Sequence, residues 1–222
     1  MTSYYADRLA ADRLRRCYEL ATPAVRRYLE AEIAHVVARI APGDRVLDLG
    51  CGYGRVFGDL AARAGLVVGV DTALASLRAA GAEPGAATGR VLLANAVALP
   101  FRAAAFDLVV AIQNGISAFG EDQRRLLEEA VRVARPGGRV LFSSYAAAFW
   151  PERLAWFRIQ AAHGLVGEID EAATGDGIIV CRDGFRATTV GPARFRELAR
   201  GLGARVTVET VAASSVFCVI AV

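Results

Sequence analysis

Apolar positions follow two rhythms along the chain. Val25, Leu29, Ile33, Val36 and Ile40 recur at spacings of three and four, which marks one face of a helix. Thr22-Pro23 gives that helix a cap and a proline at its first position, and Pro42-Gly43 ends it. Residues 3–20 read as a partly apolar helix before it. After Gly43 short apolar runs take over, separated by helical stretches. Strands are predicted at 46–49, 66–70, 91–94, 106–111 and 139–145, and helices at 55–64, 72–80 and 121–134. Short apolar strands alternating with helices predict a parallel sheet covered on both faces, with right-handed crossovers.

The rhythm changes again after Tyr145. Residues 151–163 read as a helix set among Trp150, Trp156 and Phe157, and the polar stretch GEIDEAATGDG follows. IIVCRDGFRATTV then reads as a hairpin turning at Asp183-Gly184. A helix over 192–202 opens at Pro192, and RVTVET with SVFCVIAV forms a closing antiparallel pair. The expected architecture is a single α/β domain built on a doubly wound, mostly parallel sheet with an antiparallel last strand. N-terminal helices occupy 1–41, the core 42–145, an inserted helix-hairpin cap 146–190, and a last helix and strand pair 191–222.

Composition narrows the class. The chain has 222 residues, 55% hydrophobic and 22% charged, which suits a cored globular protein and not a disordered one. No apolar run has the length to cross a bilayer, and the first residues lack the uncharged core of a signal peptide, so a cytoplasmic protein without a membrane partner is expected. Net charge is +3, carried by arginines scattered over helical stretches, with no lysine and no basic tail; nucleic acid is not the expected partner. Cys17, Cys51, Cys181 and Cys218 form no CxxC pair, and the two histidines do not complete a zinc set, so reduced thiols and no metal are expected.

The candidate chemistry lies in RVLDLGCGYGRVFGDL, where a strand runs into Gly50, Gly52 and Gly54. Gly50 and Gly54 let the chain turn, and Gly52 clears space for a ligand against the backbone. The helix start behind them offers free amides to an anion. Asp71 ends the next strand, where an acid can accept two ribose hydroxyls. On these features alone a dinucleotide fits equally well. Two others tilt the choice: the spacing is GxGxG and not GxGxxG, and Asp48 adds negative charge that suits an ammonium better than a pyrophosphate.

At these residues the sequence resembles the class I S-adenosylmethionine-dependent methyltransferases. VLDLGCGYG is similar to their first motif and VVGVD, ending at Asp71, to the second-strand acid. ANAVALPF resembles the third-strand segment, FDLVVA the fourth strand, and ARPGGRVLFS the turn into the fifth, all in family order. The resemblance covers about residues 42–145 and implies the Rossmann-like methyltransferase fold, S-adenosylmethionine as cofactor, and in-line methyl transfer to a nucleophile. It implies a cofactor set of Asp48, Gly50, Cys51, Gly52, Asp71, Thr72, Asn95, Ala96 and Gln113. Asn95 departs from the family's usual acid, although its amide oxygen can accept from an adenine amine.

Tyr5, Asn114 and His163 are the candidate catalytic residues. Tyr4 and Tyr5 belong to an N-terminal segment that in similar enzymes closes over the cofactor, where a tyrosine suits a sulfonium. Their alternative is packing on the core. Asn114 follows the fourth strand; its alternative is a turn residue before Gly115. His163 is a base if its helix caps the pocket, and otherwise a favourable charge at a helix C-terminus. Cys51 packs beside the turn. The aromatic-rich 146–190 segment is the expected lid over a small acceptor. The alternatives are a nicotinamide-dependent oxidoreductase on a Rossmann sheet and a non-catalytic S-adenosylmethionine-binding protein.

Overall fold

The computed structural model describes residues 4–81 and 89–222. Three helices come first: α1 (Tyr4–Arg8), α2 (Asp12–Glu19) and α3 (Pro23–Val37). The core follows as β1 (Arg45–Leu49), α4 (Phe57–Ala61), β2 (Leu66–Asp71), α5 (Leu74–Ala80), β3 (Gly89–Leu93), β4 (Phe106–Ala111), α6 (Gly115–Ala118), α7 (Gln123–Val133) and β5 (Ala134–Tyr145). After a short 3-10 turn come α8 (Trp150–Ala162), β6 (Ile179–Val180), β7 (Arg186–Ala187), α9 (Pro192–Leu198), β8 (Arg205–Val211) and β9 (Ser215–Ala221).

Seven strands form one sheet in the order β3-β2-β1-β4-β5-β9-β8. β1 to β5 pair in parallel, while β9 runs antiparallel to both β5 and β8. The sheet is the expected doubly wound one, with its antiparallel strand inserted at one side. Alternation along the strands sends side chains to two cores. Leu47, Leu49, Val109 and Ala111 pack with Leu126, Leu127 and Phe195 on the face of α7 and α9. Val46, Leu108 and Val110 pack with Val36, Phe57 and Leu60 on the face of α3 and α4. The chain order reverses between β1 and β4, so their carboxyl ends open the crevice where ligands of such sheets lie.

Several boundaries differ from the pattern-based expectation. The helix expected over 3–20 starts outside the described residues and is broken in two at Leu9–Ala11, where Ala11 adopts φ 49°. Buried Leu9 and the Ala11 amide, which donates to Ser76 Oγ at 2.9 Å, pin that break to the body of the protein. β5 begins earlier than 139, because Ala134 already pairs with Phe106 and an irregularity absorbs Pro136 and the glycines. The helix at 192 ends at Leu198 and not 202. The hairpin forms as β6 with β7, and Thr22 caps α3 by accepting from the Val25 amide at 3.3 Å.

Candidate functional site

The glycine turn is fastened to its neighbour strand. The amides of Gly50 and Cys51 both donate to the Val70 carbonyl, at 2.8 and 3.0 Å. Gly50 and Gly52 sit at φ 71° and 55°, where a side chain is disfavoured. The Phe119 ring lies against Gly50 where a Cβ would stand, and Leu14 of α2 lies 3.2 Å from the same point on Gly52. Cys51 is buried and fills a notch left by Gly69, whose Cβ would fall 2.6 Å from the Cys51 sulfur.

Asp71 holds this turn in shape. Its Oδ2 accepts from the Gly52 amide at 2.8 Å and its Oδ1 from the Ala73 amide at 2.7 Å. The Thr72 amide draws on the same carboxylate, which keeps acceptor capacity for a further donor. Burial raises the Asp71 pKa, against the pull of these bonds. Thr72 beside it is exposed.

Asp48 is the least compensated group at the site. It is 3% exposed and accepts no hydrogen bond from another described residue. Burial pushes its pKa up to about 7; Arg55 opposes the rise and the Asp71 charge adds to it. A buried carboxylate without donors favours a proton or a cation.

At the β3 tip, Asn95 uses both ends of its amide. Oδ1 accepts from the Val97 amide at 3.0 Å, and Nδ2 donates to Glu121 Oε1 at 2.7 Å. Glu121, from the loop after α6, thus sets a carboxylate beside the β3 tip. Ala96 is buried next to it.

Gln113 and Asn114 follow β4 at φ 56° and 64°. Two successive non-glycine residues in this region represent strain on the order of 1–3 kcal/mol each, a feature that clusters at functional sites. The Gln113 amide donates to Glu32 Oε2 at 2.7 Å, and Tyr18 donates its hydroxyl to Gln113 Oε1 at 3.1 Å. Gln113 Nε2 is buried without an acceptor. Asn114 is braced at both ends: Nδ2 donates to the Thr188 carbonyl at 2.9 Å and Oδ1 accepts from Ser144 Oγ at 2.6 Å. Its side chain ties the β4 tip to β5 and to the insert.

Glu32, wholly buried on α3, accepts from Ser215 Oγ at 2.6 Å and Ser143 Oγ at 3.0 Å besides the Gln113 amide. Burial lifts its pKa to about 7 against these bonds. Tyr5 stands in the electrostatic neighbourhood of Tyr145, Tyr18 and Arg153, edge-on to Phe185 at 5.9 Å, and burial holds its hydroxyl well above the usual tyrosine range. Tyr4 donates to Asp183 Oδ2 at 2.5 Å, which joins α1 to the hairpin.

The structure thus gathers Asp48, Gly50, Cys51, Gly52, Asp71 and Thr72 at the neighbouring ends of β1 and β2, sets Asn95 and Ala96 at the next strand tip, and Gln113 and Asn114 at the tip on the other side. Tyr5 enters from the N-terminal flap. His163 is exposed at the C-terminal cap of α8 and has no hydrogen bond or ring contact with the others. Pattern reading passed over Glu32, Tyr18, Glu121 and Arg153. Glu32 had a signal: with Val25, Leu29 and Val36 it occupies the buried face of α3, where a carboxylate is out of place. Among the described residues no group of three histidine, cysteine or acidic side chains is placed to hold a metal, and no helix is long and apolar enough to cross a membrane.

Comparison with known proteins matches residues 47–142 to the family described as a methyltransferase domain. The matched residues are the sheet core from β1 to β5, and the likeness to that family lies there. The malonyl-[acyl-carrier protein] O-methyltransferase of Salmonella typhimurium is 38% identical over 112 residues, 50% of this chain and 43% of that protein. The chain thus spans under half the length of this curated relative. PH0226 protein from Pyrococcus horikoshii superposes with a TM-score of 0.71 at 20% identity, over 98% of this chain and 97% of that one. The DhpI-SAM-HEP complex superposes at 0.66 and 20% identity, over 98% and 94%. At that identity these two share the fold, and they share it over nearly the whole chain.

Proposed function

We propose that the protein transfers a methyl group from S-adenosylmethionine to a small-molecule acceptor. The observation that carries this reading is Asp48, a buried carboxylate that accepts no hydrogen bond among the described residues, beside a glycine turn whose backbone is open to close approach. The residues fit the cofactor. Asp48 faces its ammonium, Asp71 accepts its ribose hydroxyls with the lone pairs left over, and Glu121, steadied by Asn95, accepts from its adenine amine. Gly50, Cys51, Gly52, Thr72, Ala96 and Gln113 form the walls.

Bound S-adenosylmethionine supplies an already activated methyl group, so the protein's task is to align and to exclude water. The flap does the latter: α2 lays Leu14 on the turn and stacks Tyr18 edge-on to Tyr53 at 6.3 Å, with Arg55 4.4 Å from the Tyr18 ring centre. Tyr5 and Tyr145 stay protonated at neutral pH and offer neutral hydroxyls and ring faces on the acceptor side. Asn114 acts by holding the β4 tip against the insert. The N-terminal helices and the aromatic insert, packed beside the strand tips, support a small acceptor over a polymer.

Calorimetry with S-adenosylmethionine and NAD tests the reading. S-adenosylmethionine is expected to bind more tightly, and Asp71→Ala to abolish that binding. NAD binding without any response to S-adenosylmethionine would return the chain to the oxidoreductase reading. Incubation with methyl-labelled cofactor and a metabolite extract separates an enzyme from a binder, since a binder labels nothing.

A further inference from the structure

The insert holds a buried cation that has no counter-ion among the described residues. Arg153, Trp156, Phe157 and Gln160 form the buried face of α8, and Arg153 is 0% exposed. Its Nη1 donates to the Gly177 carbonyl at 2.8 Å and its Nη2 to the Thr188 carbonyl at 3.3 Å. Its Nε is buried with no acceptor. The guanidinium carbon lies 4.6 Å from the ring centre of Tyr145, 5.6 Å from Phe157 and 5.8 Å from Trp150. Among the described residues no carboxylate forms an ion pair with it. Two neutral carbonyls and three ring faces only partly offset the desolvation of a cation, which amounts to several kcal/mol. A tie between α8 and the 176–189 segment needs no such charge.

Arg153 also lines a cavity of about 330 Å³. Tyr145, Trp150, Thr189 and Pro192 wall it, and exposed Ala147 stands at its mouth. The volume is at the small end for ligand sites. Tyr145 ends β5, so this cavity and the crevice at the strand tips share a wall. Asp176 lines the same cavity and disfavours a second negative charge there.

We propose that this cavity binds a carboxylate of the methyl acceptor, with Arg153 as its anchor. A guanidinium fork matches a carboxylate with two parallel hydrogen bonds, and the ring faces around it accept the apolar part of a small acid. One negative charge satisfies Arg153 without crowding Asp176, so a monocarboxylate fits better than a phosphate. The word acceptor rests on the methyltransferase reading; the carboxylate site itself does not.

The test uses the full chain, with and without S-adenosylhomocysteine, and five probes: benzoate, hexanoate, the primary amide of each, and inorganic phosphate. Ligand-observed NMR and calorimetry are expected to show at least one acid binding about tenfold more tightly than its amide. Arg153→Gln is expected to erase that preference. Ala147→Trp, which closes the mouth and leaves Arg153 in place, is expected to weaken the acid about tenfold with an unchanged melting temperature; it decides the matter if Arg153→Gln does not fold. The proposal is overturned if neither acid exceeds its amide, if phosphate binds better than both, or if folded Arg153→Gln or Ala147→Trp binds the acid like the parent. Retained acid binding without any S-adenosylmethionine binding would sink the methyltransferase reading alone.

Discussion

Replacing Asp48 by asparagine should stabilise the fold and weaken the cofactor, opposite signs from one change. The side chain is 3% exposed and its pKa rises from 3.8 to about 7. Because the folded value lies above the unfolded one, the folded state binds the extra proton between about pH 4 and 7. Stability therefore falls as pH rises through that window, and the full penalty is present above it. Roughly three units correspond to about 4 kcal/mol as an upper limit. Asparagine keeps the shape and carries no such penalty. Asp48→Asn should match the parent near pH 4, gain on it up to about pH 7 and hold that gain above, in urea unfolding at a series of pH values. Glu32 titrates in the same range, but it is present in both proteins and cancels in the difference. For S-adenosylmethionine the sign reverses, since the ionised carboxylate attracts an ammonium. Affinity in the parent should rise with pH through about 7, and the variant should lose about ten- to hundredfold at pH 8, or about 1.4–2.8 kcal/mol. If Asp48→Asn destabilises equally at every pH and binds the cofactor normally, Asp48 is a structural acceptor and the reasoning fails.

Three further outcomes follow from the geometry. Glu121→Gln should reduce S-adenosylmethionine affinity about threefold to tenfold in calorimetry while leaving the melting temperature unchanged, because the change is at an exposed pair. Gly69→Ala should destabilise the protein by about 2–4 kcal/mol in urea unfolding, since its Cβ meets Phe57 at 2.5 Å and the Cys51 sulfur at 2.6 Å inside a close-packed strand layer. His163→Ala should leave methyl transfer within about twofold of the parent, given an exposed imidazole at a helix cap; a drop of about a hundredfold in kcat would make it the base.

The sheet was legible because its strands are short apolar runs bounded by Gly, Pro and Asp, and because a parallel strand buries both faces and so shows no polar interruption. All seven sheet strands lie where pattern places them, and the ligand crevice follows from the reversal of chain order after β3. What pattern placed less well are boundaries decided at a distance. Nothing within residues 3–20 announces that Ser76 will hold the Ala11 amide and break the helix. Nothing within 134–138 announces that Ala134 will pair with Phe106.

The site divides along the same line. Asp48, Gly50, Gly52 and Asp71 lie within one strand-turn-helix-strand unit, so their relation is local and can be read from spacing. Glu121 reaches Asn95 across 26 residues, Glu32 reaches Gln113 across 81, and Arg153 acquires its surroundings from the 176–189 segment. These partners are chosen by the fold, and a linear pattern records only that each is a charge. Glu32 and Arg153 nevertheless left the same trace: each sits at a position of its helix that the apolar stripe claims, Glu32 beside Leu29 and Val36, Arg153 beside Trp156 and Phe157. A charge in an apolar stripe is removed from water by the packing of its neighbours, so something in the folded state has to answer it. For Glu32 the answer is two serine hydroxyls and a backbone amide. For Arg153 the protein's own groups leave Nε unanswered, and that remainder is why the cavity beside it reads as a place for an acid.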